Sequence, residues 1–132
     1  MSEIRWKQRF KNFKKANANL VETSNFIKQG ELNKIYTMAL IQAFEMSFEL
    51  AWKTMKDYLE NDGILTDSPR TAIKEAFSSR LIEDGQSWID MMETRNKTSH
   101  TYKEEYANVV AKEILDKYIS LLVVLEHTFE GK

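Results

Sequence analysis

Ala43-Phe44-Glu45-Met46-Ser47-Phe48-Glu49-Leu50-Ala51-Trp52-Lys53-Thr54-Met55-Lys56-Asp57-Tyr58-Leu59, followed by Glu60-Asn61-Asp62-Gly63, is the stretch that decides the fold. Its large apolar residues Phe44, Phe48, Trp52, Met55 and Leu59 recur every three or four positions, which is the period of a helix and not of a strand. Ile35 and Met38 carry the pattern back toward Glu31, and Asn61-Asp62-Gly63 ends it with a glycine that accepts the left-handed conformation of a helix terminus. Leu40, Ile41, Ala43 and Leu50 widen the apolar surface beyond one stripe. A helix of this kind needs neighbours on two sides, as a central helix or as part of a dimer seam.

The same period extends outward from it. A first helix from about Glu3 to Gln29 carries Trp6, Phe10, Phe13, Leu20 and Ile27 and ends at Gly30. Asp67-Ser68-Pro69 reads as a helix start, because either Asp67 or Ser68 can cap free amides and proline suits the first helical position. That short helix runs to about Arg80. Gly85 then breaks the chain, and Trp88, Ile89, Met91 and Met92 mark a fourth helix leading into Arg95 and Asn96. After Tyr102, a last long helix takes in Tyr106, Val109, Val110, Ile114, Tyr118, Leu121, Leu122, Leu125 and Phe129 and closes at Gly131. With four glycines and one proline in 132 residues, turn signals are few. The expected fold is all-α, an up-and-down antiparallel helical bundle of four main helices plus a short one, with residues 1–132 forming a single domain.

Composition narrows the chemistry. Without cysteine there is neither a disulfide framework nor a thiolate zinc site, so the hydrophobic core must hold the fold. A net charge of −1 gives no overall attraction to polyanions. The amino-terminal segment is basic, and no run of about 20 apolar residues follows. The expectation is a soluble, cytoplasmic protein that does not enter membranes.

The chemistry-bearing stretch is Glu93-Thr94-Arg95-Asn96-Lys97-Thr98-Ser99-His100-Thr101-Tyr102. Arginine offers a fork of donors to a phosphate and can stabilise the extra charge of a pentacoordinate transition state. Histidine passes protons near neutrality, and a tyrosine hydroxyl can orient a phosphate or be modified. On one continuous helix Arg95 and His100 would stand roughly 140° apart. Convergence on one phosphate therefore asks for a bend near Lys97-Thr98-Ser99 or for a second chain. Glu93 and Glu104 lie nearby, but their spacing has no metal signature, so no metal and no cofactor are assigned. The competing reading is that an arginine and a histidine at a helix end neutralise its carbonyls or pair with an acid.

Arg95-Asn96-Lys97-Thr98-Ser99-His100-Thr101-Tyr102 resembles the Arg-Asn-x-x-x-His core of HEPN domains, extended by the x-Tyr of HEPN toxins. Phe48–Leu59, Ser68–Phe77 and Asp84–Met92 are similar to signature blocks of the nucleotidyltransferase substrate-binding protein family. The resemblance covers nearly the whole chain. It implies a HEPN-like bundle that forms a homodimer with two motifs facing each other across the seam, and a small single-domain nucleotidyltransferase as partner. In toxin–antitoxin pairs of this type, the HEPN chain is a metal-independent ribonuclease silenced by AMP transfer to the motif tyrosine. Carried over, Arg95 would stabilise the phosphorane, His100 would act as general acid or base, Asn96 and Ser99 would support the geometry, and Tyr102 would accept the modification. The alternative is a non-catalytic subunit that binds a nucleotide or other substrate for the nucleotidyltransferase. A purely structural helical adaptor is the third.

Other residues read as structural. His127 sits in a last helical turn, and Trp52 and Trp88 read as core or interface anchors, with Trp6 undecided. Arg5, Lys7, Arg9, Lys11, Lys14 and Lys15 form a basic face that is either solvated, a guide for RNA, or a contact for an acidic partner.

Overall fold

The structure is a computed structural model that describes residues 2–29, 33–101 and 103–132, with side chains over the same ranges except at positions 2, 3, 28 and 29. Its helices are α1 (Ser2–Gln29), α2 (Lys34–Asn61), α3 (Pro69–Ser78), α4 (Gly85–Asn96), α5 (Glu104–Glu113) and α6 (Ile119–Glu130). A 3-10 turn at Thr98–His100 follows α4, and a π turn at Ile114–Tyr118 joins α5 to α6 in one rod. The fold is therefore an all-α bundle of five rods, with no strand among the described residues.

Side-chain pairs give the directions. Arg5 and Arg9 meet Glu60 and Asp57, so α1 and α2 are antiparallel. Phe48 faces Trp88 while Glu45 faces Arg95, which sets α4 antiparallel to α2. Phe44 stacks on Tyr118 and Tyr58 meets Phe129, so the α5–α6 rod runs parallel to α2. The up-and-down order expected from the sequence holds.

The doubly apolar second helix is central, packing against α1, α3, α4, α5 and α6. Leu40, Phe44, Phe48, Ala51, Met55 and Leu59 are all buried within it. At one end of the bundle Trp6, Phe10, Tyr58 and Phe129 form an aromatic cluster, with Trp6 and Tyr58 edge-on at 5.1 Å between centroids. Trp6 is thus a core residue. Trp88 is buried against Phe48, and Trp52 is half-buried at the margin of the core. Asn17, itself buried, ties α1 to α6 by donating from Nδ2 to the Leu122 carbonyl at 3.2 Å and to Glu126 at 3.1 Å.

Element boundaries differ from the sequence reading in three places, at the start of α2, the end of α3 and the start of α4. Gly30, Glu31 and the Leu32 that follows lie outside the described residues, and α2 begins at Lys34 because Asn33 accepts the Tyr36 amide as its cap. The short helix does start at Ser68-Pro69, where Ser68 and Thr71 form a reciprocal capping box, but it ends at Ser78 and not near Arg80. Arg80 takes a positive φ of 64° while Leu81 N–H bonds to the Ala76 carbonyl, so an arginine occupies the left-handed position of a Schellman termination. Gly85 is the first residue of α4, with Asp84 as its cap, rather than a break. Its lack of a side chain matters for packing, since a Cβ there would lie 3.1 Å from the Phe77 ring. Gly63, at φ 85°, ends α2 as expected, whereas Gly131 keeps a right-handed conformation. The last helix holds its expected span but carries the π turn.

No helix among the described residues is long and apolar enough to cross a membrane.

Candidate functional site

The site is built where α4 stops. Arg95 lies in the last turn of α4 and Asn96 is its last residue; Lys97 closes the helix, donating its amide to the Thr94 and Arg95 carbonyls. Thr98–His100 then form the 3-10 turn, with the His100 amide bonded to the Lys97 carbonyl at 3.0 Å. The continuous helix that would have separated Arg95 from His100 does not exist. A bend falls at Lys97-Thr98, within the stretch where the sequence reading placed one.

Thr98 makes the bend rigid. It is buried, at 4 % exposure, inside an otherwise polar segment. Its Oγ1 lies 2.7 Å from Glu45 Oε2 and 2.8 Å from the Arg95 carbonyl, so one hydroxyl proton is shared between a carboxylate and a helix-end acceptor. The same oxygen accepts from Arg95 Nη1 at 3.2 Å, and Arg95 Nη1 also pairs with Glu45 at 3.3 Å. Arg95, Thr98 and Glu45 thus form a closed triangle between α2, α4 and the turn. The guanidinium is not exhausted by it: among the described residues the buried Arg95 Nε has no hydrogen-bond partner, and the side chain stays 33 % exposed.

The remaining motif residues point outward. Asn96, Ser99 and His100 are exposed, and the His100 imidazole makes no hydrogen bond among the described residues. Tyr102 lies outside the described residues. The competing reading of Arg95 as the partner of an acid is therefore correct for one side of its fork, while among the described residues His100 is not held in an internal pair.

A second network braces α4 from behind. Thr94, beside Arg95, contacts Glu113 at 3.2 Å and the Tyr118 hydroxyl at 3.0 Å, while Tyr118 donates to Glu113 at 3.1 Å. Glu113 precedes the π turn and Tyr118 is its last residue, and both side chains meet Thr94 of α4. Burial pushes the Tyr118 phenol up to about 12, with the Thr94 hydrogen bond opposing and the Glu113 carboxylate reinforcing the rise. The phenol is thus held protonated, as a fixed donor.

Glu45, Thr98, Thr94 and Glu113 were not singled out by sequence reasoning. Glu45 had one signal, a carboxylate inside the apolar run from Leu40 to Ala51. The other three had none, since threonines and glutamates in polar segments show no periodicity.

The basic face of α1 is largely engaged within the chain. Arg9 Nε bonds to buried Asp57 at 3.0 Å, Arg5 pairs with Glu60, and Lys14 bonds to Glu130 at 2.8 Å, an interaction that raises the lysine's pKa. Lys7 lies over the Trp6 ring. These contacts favour a structural role for the face over an RNA track.

Comparison with known proteins follows the same lines. Residues 8–130 match the family model described as nucleotidyltransferase substrate binding protein like. The chain belongs to this family. A relative from Haemophilus influenzae, named "Probable ribonuclease HepT", is 38 % identical over 91 residues, which are 65 % of this chain and 62 % of that protein. The chain thus aligns with a little under two-thirds of that relative's length. A Thermus thermophilus protein of known crystal structure superposes with a TM-score of 0.76 at 31 % identity, over 86 % of this chain and 94 % of its own. Family membership and fold therefore agree with the resemblance carried by the motif.

Proposed function

We propose that this chain is a HEPN-type endoribonuclease that works as a homodimer, as one domain, and under the control of a small nucleotidyltransferase. The observation that carries the reading is the state of Arg95: anchored through Nη1, with Nε unpartnered, on a helix end that turns directly into an exposed histidine. That is a fixed guanidinium whose side chain stays 33 % exposed, so its outer donors can reach an oxyanion, next to an exposed imidazole. In the reaction, the 2′-oxygen of a ribose attacks the adjacent phosphorus as His100 takes its proton. The bond from phosphorus to the 5′-oxygen breaks, a proton passes to that oxygen, and a 2′,3′-cyclic phosphate and a 5′-hydroxyl result. Arg95 stabilises the charge that accumulates on the non-bridging oxygens. Asn96 and Ser99 support the geometry, and the cycle uses the chain's own groups without a metal or cofactor.

A second copy supplies the rest of the site. Ile35, Met38 and Met46 share one face of α2 with Gln42, and all three apolar residues are more than half exposed. Glu45, the anchor of Arg95, lies at the edge of that stripe. An apolar stripe beside the motif is what a symmetric seam would cover, which brings two His100 rings to one cleft. The relative named as a ribonuclease supports the activity, and the family description supports a nucleotidyltransferase partner; AMP transfer to Tyr102 is what the motif's resemblance to HEPN toxins implies.

The reading as a non-catalytic nucleotide-binding subunit is favoured by one observation, the Glu45 carboxylate on the Arg95 fork. One experiment separates the two. The protein is treated with the partner nucleotidyltransferase, ATP and magnesium, weighed intact, and then incubated with total RNA. Cleavage by the untreated protein, a gain of AMP on treatment that Tyr102→Phe abolishes, and loss of cleavage after treatment are expected. Intact RNA in every arm would leave the binding subunit.

A further inference from the structure

A cavity of about 290 Å³ lies between the turn that joins α3 to α4 and the side of α6, and it shares no wall residue with the motif. Its apolar lining comes from Leu81, Ile82, Trp88, Leu121 and Leu125, of which Trp88 and Leu125 belong to the buried core. Val124, also on the wall, is 59 % exposed, so apolar surface is left open to whatever enters. The volume is at the small end of ligand sites and suits one small molecule.

Arg80 marks the cavity as more than a packing gap. It holds φ at 64°, a conformation that glycine would adopt without strain. Backbone strain of this kind gathers where a side chain has a use. Arg80 lines the cavity, yet its guanidinium makes no hydrogen bond or ion pair among the described residues, although Glu83 and Asp84 share the wall. A planar fork of free donors beside an apolar pocket suits a carboxylate carried next to an apolar group.

The two acids differ. Asp84 is committed to α4, because its oxygens accept the Ser87 hydroxyl at 2.7 Å and the Ser87 amide at 3.1 Å, bonds that lower its pKa. Glu83 is exposed and makes no hydrogen bond or ion pair among the described residues, so it is open to a cation. A simple anion would meet these carboxylates unfavourably, and a simple cation would meet Arg80. A ligand with both charges satisfies the wall. The backbone of an internal peptide residue carries neither charge, and a chain terminus carries only one. A free α-amino acid carries both beside its side chain.

We infer that this cavity binds a free α-amino acid with an apolar side chain, its carboxylate on Arg80, its ammonium on Glu83 and its side chain against Trp88 and Leu125. The site is separate from the motif and stands whether or not the chain cleaves RNA.

Binding is measured by calorimetry with L-leucine, L-methionine and L-phenylalanine, while the Trp88 indole N–H signal is followed by NMR. The best binder is then compared with its amide, which lacks the carboxylate, with its N-acetyl derivative, which lacks the ammonium, and with glycine, which lacks the side chain. Wild type, Arg80→Gly, Glu83→Gln and His100→Ala are titrated, each melted first without ligand. At least one of the three amino acids is expected to bind wild type and His100→Ala alike and to shift the Trp88 signal. Arg80→Gly, Glu83→Gln and the three analogues are each expected to weaken binding about tenfold or more. Arg80→Gly is expected to melt no lower than wild type, so its loss of binding is not a loss of fold. No binding of any of the three amino acids at millimolar concentration, unchanged affinity in Arg80→Gly, or a Trp88 signal that stays in place overturns the inference. Equal binding of the N-acetyl derivative overturns it too, in favour of a chain terminus. Loss of cleavage in His100→Ala with amino-acid binding intact concerns only the catalytic reading, so the two failures are distinguishable.

Discussion

Thr98 Oγ1 lies 2.7 Å from Glu45 Oε2, joining a buried hydroxyl of the motif turn to a carboxylate on the central helix. The same carboxylate holds Arg95, so the position of the arginine depends on a residue 50 positions earlier in the chain.

Thr98→Val keeps the shape of the side chain but removes a hydrogen bond to a charged group, and is expected to cost about 1.5–3 kcal/mol in urea denaturation. Glu45→Gln retains an acceptor and breaks only a half-exposed ion pair, so its cost is expected to stay below about 1 kcal/mol. RNA cleavage separates the two effects: Glu45→Gln is expected to lose about tenfold to a hundredfold through misplacement of Arg95. Full activity in Glu45→Gln would show that the triangle does not position the arginine.

Phe129 is buried among Trp6, Phe10 and Tyr58 at the end of the bundle far from the motif. Phe129→Ala is expected to destabilise by about 3–5 kcal/mol, read from the denaturation midpoint. A loss below about 1 kcal/mol would mean that this cluster does not close the bundle as described.

Arg80 holds a left-handed conformation that glycine adopts without strain. Arg80→Gly relieves that strain and loosens the unfolded chain at the same time, giving an expected net gain of about 0.5 kcal/mol by the same measurement. Destabilisation would show that the arginine side chain has a compensating role.

Tyr118 has an alkaline signature. Its folded pKa is raised from 10.0 to about 12, so the unfolded state loses its proton first. The stability that follows is fully present below about pH 10 and is lost as pH rises toward about 12. Tyr118→Phe is expected to lower stability at neutral pH, by removing the hydroxyl that bonds both Thr94 and Glu113, and to flatten the decline between those pH values. An unchanged slope would place the phenol in water.

Much of the fold was legible because it rests on period and punctuation. Phe44 to Leu59 announced a central helix, Ser68-Pro69 a capped start, and Gly63 a left-handed end, since each is a local rule that the packing reinforces. Arg80 hid a helix end because nothing local marks an arginine that takes a glycine's conformation. The π turn hid inside an unbroken apolar pattern, which tolerates one extra residue when Ile114 and Tyr118 stay buried. In the site, Arg95 and His100 stood out by residue type, and the need for a bend followed from helix geometry. Glu45, Thr98 and the Thr94–Glu113–Tyr118 bracing were out of reach, because long-range hydrogen bonds between short polar side chains leave no periodic trace.

The central claim is that His100 and Arg95 cleave RNA from a motif held by the bundle. It is tested most directly by incubating wild type, His100→Ala and Arg95→Ala with RNA in EDTA and identifying the new ends, after melting curves show that the variants fold. Cleavage by wild type to 2′,3′-cyclic phosphates and 5′-hydroxyls, with each variant reduced about a hundredfold or more, is the expected result. Equal cleavage by folded His100→Ala, or none by wild type freed of AMP, would contradict it.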